Sequence, residues 1–280
     1  MFHPYPMESL DVRHSLAVAN ISALTHQVRD PAVDNRGALL NRMARDHVAL
    51  GLHGFYREGS PESLKQHFHV ASRLRLASLR EPGGETLGSR SPFLYALLSD
   101  NATLIDAYAR AAPGRSRPDQ PLRLPFHVHL LQLAIRGDFA GLACKLDIVG
   151  KGIEAREGSR KAGQDFYSLL GRRDQAGLEN LLLEEARVWE AKLARGKEVG
   201  DAQHRQFMAA CAMKVKLCWM HGLPVRVEHP LVPMELMPLR PLARYEDPYD
   251  FLDARADRHP PPRPRLMNRL GGWMRARKTG

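Results

Sequence analysis

The chain has 280 residues, 44% of them apolar and 26% charged, with a formal net charge of +10. That composition is ordinary for a folded domain, the length suffices for a substantial core, and no run approaches the about 18 apolar residues of a membrane span. Three cysteines do not make a disulfide framework, and Met1–Met7 lacks the basic-then-apolar order of a secretory leader, so a reducing cytoplasm is the expected setting.

Residues 1–8 read as an irregular start, with Pro4 and Pro6. From Ser9 the pattern turns helical. Leu10, Leu16, Val18, Ile21, Leu24 and Val28 are expected to line one broad face, and Pro31 ends it. Ala38–Phe55 is a second helix, striped by Leu39, Leu40, Met43, Val48, Leu50 and Leu52. Ser60 suits the cap of a third and Pro61 its first turn; Leu64, Phe68, Ala71, Leu74, Leu76 and Leu79 follow, and Pro82-Gly83-Gly84 stops it.

A weak internal repeat comes next. Asp100-Asn101-Ala102-Thr103-Leu104, Asp138-Phe139-Ala140-Gly141-Leu142 and Asp174-Gln175-Ala176-Gly177-Leu178 share the pattern Asp-x-Ala-small-Leu, with an apolar helical run on either side of each. Such a period belongs to stacked helix pairs, each burying its apolar face on the next. The pairs are expected over 92–111, 125–148 and 164–193, with a polar loop at 113–118. A row of three aspartates on one concave face would suit a metal or a basic partner. As caps, each would accept a free N–H of its pair's second helix and add about 1 kcal/mol. The equivalent position in every unit predicts capping.

Asp201–Met220 is a last long helix, ended by Gly222. Prolines at 224, 230, 233, 238, 241 and 248 then rule out helix, so 223–252 is expected as an extended segment laid on the helices. The charge concentrates beyond it: residues 254–280 hold eight Arg/Lys against Asp257, which is +7 of the total. This tail, 253–280, reads as a solvated, disordered end, although Leu266, Leu270, Trp273 and Met274 fit one short amphipathic helix. A nucleic-acid role would rest on it alone, because the rest of the chain is nearly balanced.

The remaining constellations do not assemble on paper. His204, Cys211, Cys218 and His221 resemble metal ligands. However, seven residues of helix span about 10.5 Å, while zinc ligands sit about 2.0–2.3 Å from the ion. Heptad-spaced core residues are the better account. His67 with His69, and His127 with His129, are two apart on helices and point different ways. Cys144 and Cys211 lie in apolar helical patterns, where a thiol is expected to be buried and therefore inert. There is no phosphate-cradling loop, nucleophile elbow or paired-cysteine pattern. No catalytic, cofactor or metal residue is assigned, and no cofactor is expected.

The stretch Cys211–Leu252 carries a resemblance. A helix, a Gly222-Leu223-Pro224 exit, an extended proline-spaced passage through Pro230, Pro233 and Leu236, and a Tyr245 and Tyr249-Asp250-Phe251-Leu252 close resemble the immunity protein 49 family; so does the helical-pair unit at 134–142. The resemblance covers roughly residues 10–252 and implies a mostly α-helical protein that binds and neutralises a cognate toxin of a bacterial polymorphic toxin system. It implies no particular contact residues. The expected fold is therefore all-α: stacked helical hairpins in one domain over 9–252, with a C-terminal extended Pro-rich segment and a disordered basic tail. The alternatives are a helical-repeat adaptor for another protein or a nucleic-acid binder using the tail.

Overall fold

The computed structural model describes residues 8–84, 87, 90–112, 124–152, 158–195 and 207–252. The loop at 113–118, residue His204 and the basic tail lie outside them. By its contacts the chain divides into a unit that runs to Pro248 and a second that begins at Tyr249. In the second, the described part is a 3-10 turn, Asp250–Leu252, with the Tyr249 and Phe251 rings stacked at 5.0 Å.

The larger unit is helical throughout its regular structure. It comprises α1 (Glu8–Arg29), α2 (Arg36–Glu58), α3 (Pro61–Ser78), α4 (Ser91–Ser99), α5 (Ala102–Arg110), α6 (Leu124–Arg136), α7 (Phe139–Gly152), α8 (Gly158–Arg172), α9 (Gln175–Ala194) and α10 (Ala209–Met220). No strand occurs among the described residues, and no described helix is long and apolar enough to cross a membrane. The three expected pairs are α4/α5, α6/α7 and α8/α9. Each helix packs on the next along the chain, and α10 returns to contact α4, α6 and α9.

That return makes α4 the centre. Pro92 through Ser99 are all buried, between α3, α5 and α10. A nine-residue helix is too short to hold itself in water, so its neighbours hold it. Leu94, Leu97 and Leu98 contribute roughly 1.5–3 kcal/mol each by leaving water. The segment Cys211–Cys218 of α10 is likewise buried on every side, Lys214 and Lys216 included, the position of a helix that neighbours cover all round.

The helix starts follow local chemistry. Ser60 accepts the Ser63 N–H at 3.1 Å and Pro61 opens α3, as the sequence predicts. Gly222 adopts φ +69° past α10, where its N–H reaches the Trp219 carbonyl and that of Leu223 the Cys218 carbonyl. This pair of hydrogen bonds closes the helix end.

α1 departs from expectation. Its buried face is Leu10, Ala17, Leu24 and Val28, whereas Leu16 and Val18 are 57% and 54% exposed. α1 rests on α2 as its one substantial helical neighbour among the described residues. A helix with one neighbour buries a narrow arc, and the broad stripe read from sequence is wider than that arc.

Candidate functional site

The three repeat aspartates separate here. Asp138 and Asp174 are caps: their carboxylates accept the Gly141 and Gly177 N–H groups, each at 2.9 Å. Asp100 is not, which corrects the sequence reading. It ends α4 in the left-handed conformation, φ +59°, and Asn101 caps α5 by accepting the Leu104 N–H at 3.0 Å. In the other two turns the left-handed position precedes the cap and belongs to Gly137 and Arg173. Asp100 therefore occupies the slot of Gly137 and Arg173, and the first repeat is displaced by one residue. Aspartate tolerates that backbone better than most side chains do.

Released from capping, the Asp100 carboxylate enters the interior. Lys216 from α10 approaches one oxygen at 2.5 Å and Lys65 from α3 the other at 3.0 Å; the side chains are 0%, 8% and 1% exposed for Lys216, Lys65 and Asp100. Two ammonium groups on one carboxylate leave an excess positive charge in a dry place, which is costly unless further dipoles meet it. The extended segment supplies them. Lys216 donates to the carbonyls of Leu236 at 2.7 Å and Pro238 at 3.2 Å. Lys65 donates to that of Arg240 at 2.6 Å, and the Arg240 N–H returns a bond to Asp100 at 3.2 Å. Burial lowers the Lys216 pKa, Asp100 opposes that, and the neighbouring Lys65 adds to it. With two protons on carbonyls, a carboxylate oxygen at ion-pair distance and no solvent access, Lys216 is a clasp rather than a nucleophile.

A second set of fasteners continues along the same segment. The Tyr245 hydroxyl donates to the Ser99 carbonyl at 2.5 Å and accepts the Leu242 N–H at 3.1 Å. Gln66 pairs with the Glu246 backbone in both directions. His69 meets Asp247 at 3.1 Å with Arg73 at 3.4 Å, and the His69 contact, with the Arg73 charge, holds the Asp247 carboxyl below its ordinary range. Nearer α10, Val225 and Val227 are buried while Pro224, Arg226 and Glu228 face out. The Trp219 indole donates to the Val225 carbonyl at 2.9 Å, and Glu179 accepts the Arg226 N–H at 3.0 Å. The predicted extended piece is thus a strap from Leu223 to Pro248, bound to α3, α4, α9 and α10.

The histidine and cysteine candidates scatter. His67 sets its Nδ1 3.0 Å from that of His47, whereas His69 turns to Asp247 and Asn101. Burial lowers the His47 pKa to about 3 and moves His67 the same way. Cys211 and Cys218 are buried in α10, their thiols pushed up to about 12 by burial. His221 caps the end of α10 and places Nε2 2.7 Å from the Ala134 carbonyl, with its ring against Phe139. These residues therefore do not gather around one point.

Lys65, Lys216 and Asp247 were missed in the sequence, and His69 was weighed there only beside His67. The available signal was two lysines, 214 and 216, in the otherwise apolar run Cys211–Trp219. Lysine is seldom fully buried without a partner; Lys214 pairs with Glu185 at 2.5 Å and Lys216 with Asp100.

No family model, curated protein or solved structure matches the chain.

Proposed function

We propose that the chain is a non-enzymatic immunity protein that binds and neutralises a cognate bacterial toxin in the cytoplasm. One observation carries the reading beyond the resemblance. The proline-rich passage that resembles immunity protein 49 is held by buried charges and backbone bonds, while alternate side chains of the same passage face solvent. An inhibitor gains affinity when its contact surface is ordered before binding, because no ordering entropy is lost on docking. Arg226, Glu228, Leu239 and Arg244 are exposed on this fixed backbone and offer both charge signs and an apolar anchor. A toxin domain docked there would bury on the order of 1,200–2,000 Å² in total.

The test is co-expression with the product of the adjacent gene. A one-to-one complex and rescued growth are the expected results. Exchanging Arg226→Glu and Glu228→Lys then weakens the complex without altering the melting temperature. Absence of both complex and rescue rejects the reading.

A further inference from the structure

We propose that α1 is a self-association face, on which two copies of this chain pack α1 against α1 in antiparallel fashion about a two-fold axis level with the Ala17–Val18 peptide. The inference is independent of the toxin-binding reading.

The observation is an apolar stripe on the wrong side of a helix. Val12 and Leu16 are 59% and 57% exposed, and they are i, i+4 neighbours. Ala19 and Ala23 continue the same line and are exposed too. At about 100° per residue this line lies well round the helix from the buried Leu10, Ala17, Leu24 and Val28. Val18 is exposed off the line and plays no part. The stripe repeats at 12, 16, 19 and 23, the spacing of a coiled-coil seam. No other described helix packs substantially on α1 besides α2.

A second copy fits this face for two reasons. First, antiparallel pairing about the Ala17–Val18 peptide sets large against small: Val12 of one copy faces Ala23 of the other, and Leu16 faces Ala19. Each larger side chain then fills the space above an alanine, and the same match recurs on the other side of the axis, as isologous contact requires. Second, the ends complement each other. The first turn carries Glu8 and Asp11, and the last carries His26 and Arg29. Asp11 is engaged with Arg57 and His53, which leaves the exposed Glu8 to meet the exposed His26 of the other copy. Antiparallel helix dipoles add to this attraction. A parallel pair would oppose Glu8 to Glu8 and Leu16 to Leu16. One helix pair is a small interface, so the association belongs to the micromolar class.

The test is sedimentation of the full chain across a concentration series. A dimer forming in the micromolar range is expected, and Leu16→Arg should raise its dissociation constant more than tenfold with helix content unchanged. The Glu8–His26 pair gives an independent check that leaves the packing intact: Glu8→Lys weakens the dimer, and Glu8→Lys combined with His26→Glu restores it. Orientation is read by cross-linking in a Cys144→Ser background, since Cys144 is exposed. A mixture of Val12→Cys and Ala23→Cys chains should cross-link to each other faster than either does to itself. A chain that stays monomeric to millimolar concentration overturns the proposal, which is the result if the basic tail or a toxin is the true occupant. A dimer indifferent to Leu16→Arg, or Val12→Cys self-linking as fast as the mixture, overturns it too.

Discussion

Helix α1 and the strap from Leu223 to Pro248 invert the usual relation between regular structure and anchorage. α1 has 22 helical residues and satisfies its own backbone, yet it has one substantial helical neighbour and large apolar side chains in water. The strap has almost no regular structure, so its carbonyls and N–H groups must find partners elsewhere. It finds them in Lys65, Lys216, Asp100, Gln66 and Trp219. A buried irregular segment needs such groups, because each unpaired backbone dipole costs about 1–3 kcal/mol. The strap is therefore held by polar chemistry, and α1 by a narrow apolar seam.

The sharpest way to break the comparison is Asp100→Asn. It removes the carboxylate but leaves Lys65 and Lys216 buried. Loss of one partner of a buried ion group costs about 3–5 kcal/mol. Denaturant unfolding should show a fall of that size. Lys216→Met should cost less than Asp100→Asn, since it removes the excess charge along with its contacts.

Acid is the next probe. His47 has its pKa lowered to about 3 from 6.5, chiefly by burial, and His67 and His221 move in the same direction. The unfolded chain then binds protons that the fold excludes. Stability must fall as pH drops below 6.5, and the His47 contribution continues to be lost down to about 3. At high pH the sign reverses: the Cys211 and Cys218 thiols are raised from 9.0 to about 12, so the unfolded state releases protons first and stability falls above 9. Lys216, with its lowered pKa, opposes this with one group. Melting temperature against pH should be a dome, and His47→Gln should flatten its acid limb.

What the sequence made legible was local. The helix pairs, the Ser60 and Pro61 start, the Gly222 exit and the extended piece after it are all encoded within a few residues of where they act. The repeat was legible to within one residue. A five-letter pattern does not distinguish a left-handed helix end from the cap that follows it, and only Asn101, itself a good cap beside Asp100, marked the difference. The Lys65–Asp100–Lys216 cluster was not legible, because Lys65 and Asp100 meet only through the packing of α3 on α4, and Lys216, more than a hundred residues on, joins them only when α10 folds back on α4. α1 was over-read for a related reason: periodicity marks where apolar residues lie, not how many neighbours arrive to cover them.

Finer tests separate fastening from capping. Tyr245→Phe removes the bonds to Ser99 and Leu242 and should cost about 1–2 kcal/mol. Because this residue lies within the strap, the loss should appear with faster amide exchange from Leu236 to Glu246, measured residue by residue. The smallest effect belongs to the caps. Asp174→Ala should cost about 1 kcal/mol and loosen only the start of α9. Asn101→Ala should cost a similar amount at α5, since Asn101 is the true counterpart of Asp174. If Asn101→Ala proved silent and Asp100→Ala cost only what a cap is worth, the first repeat would be in register with the others after all, and the buried charge cluster would lose its anchor.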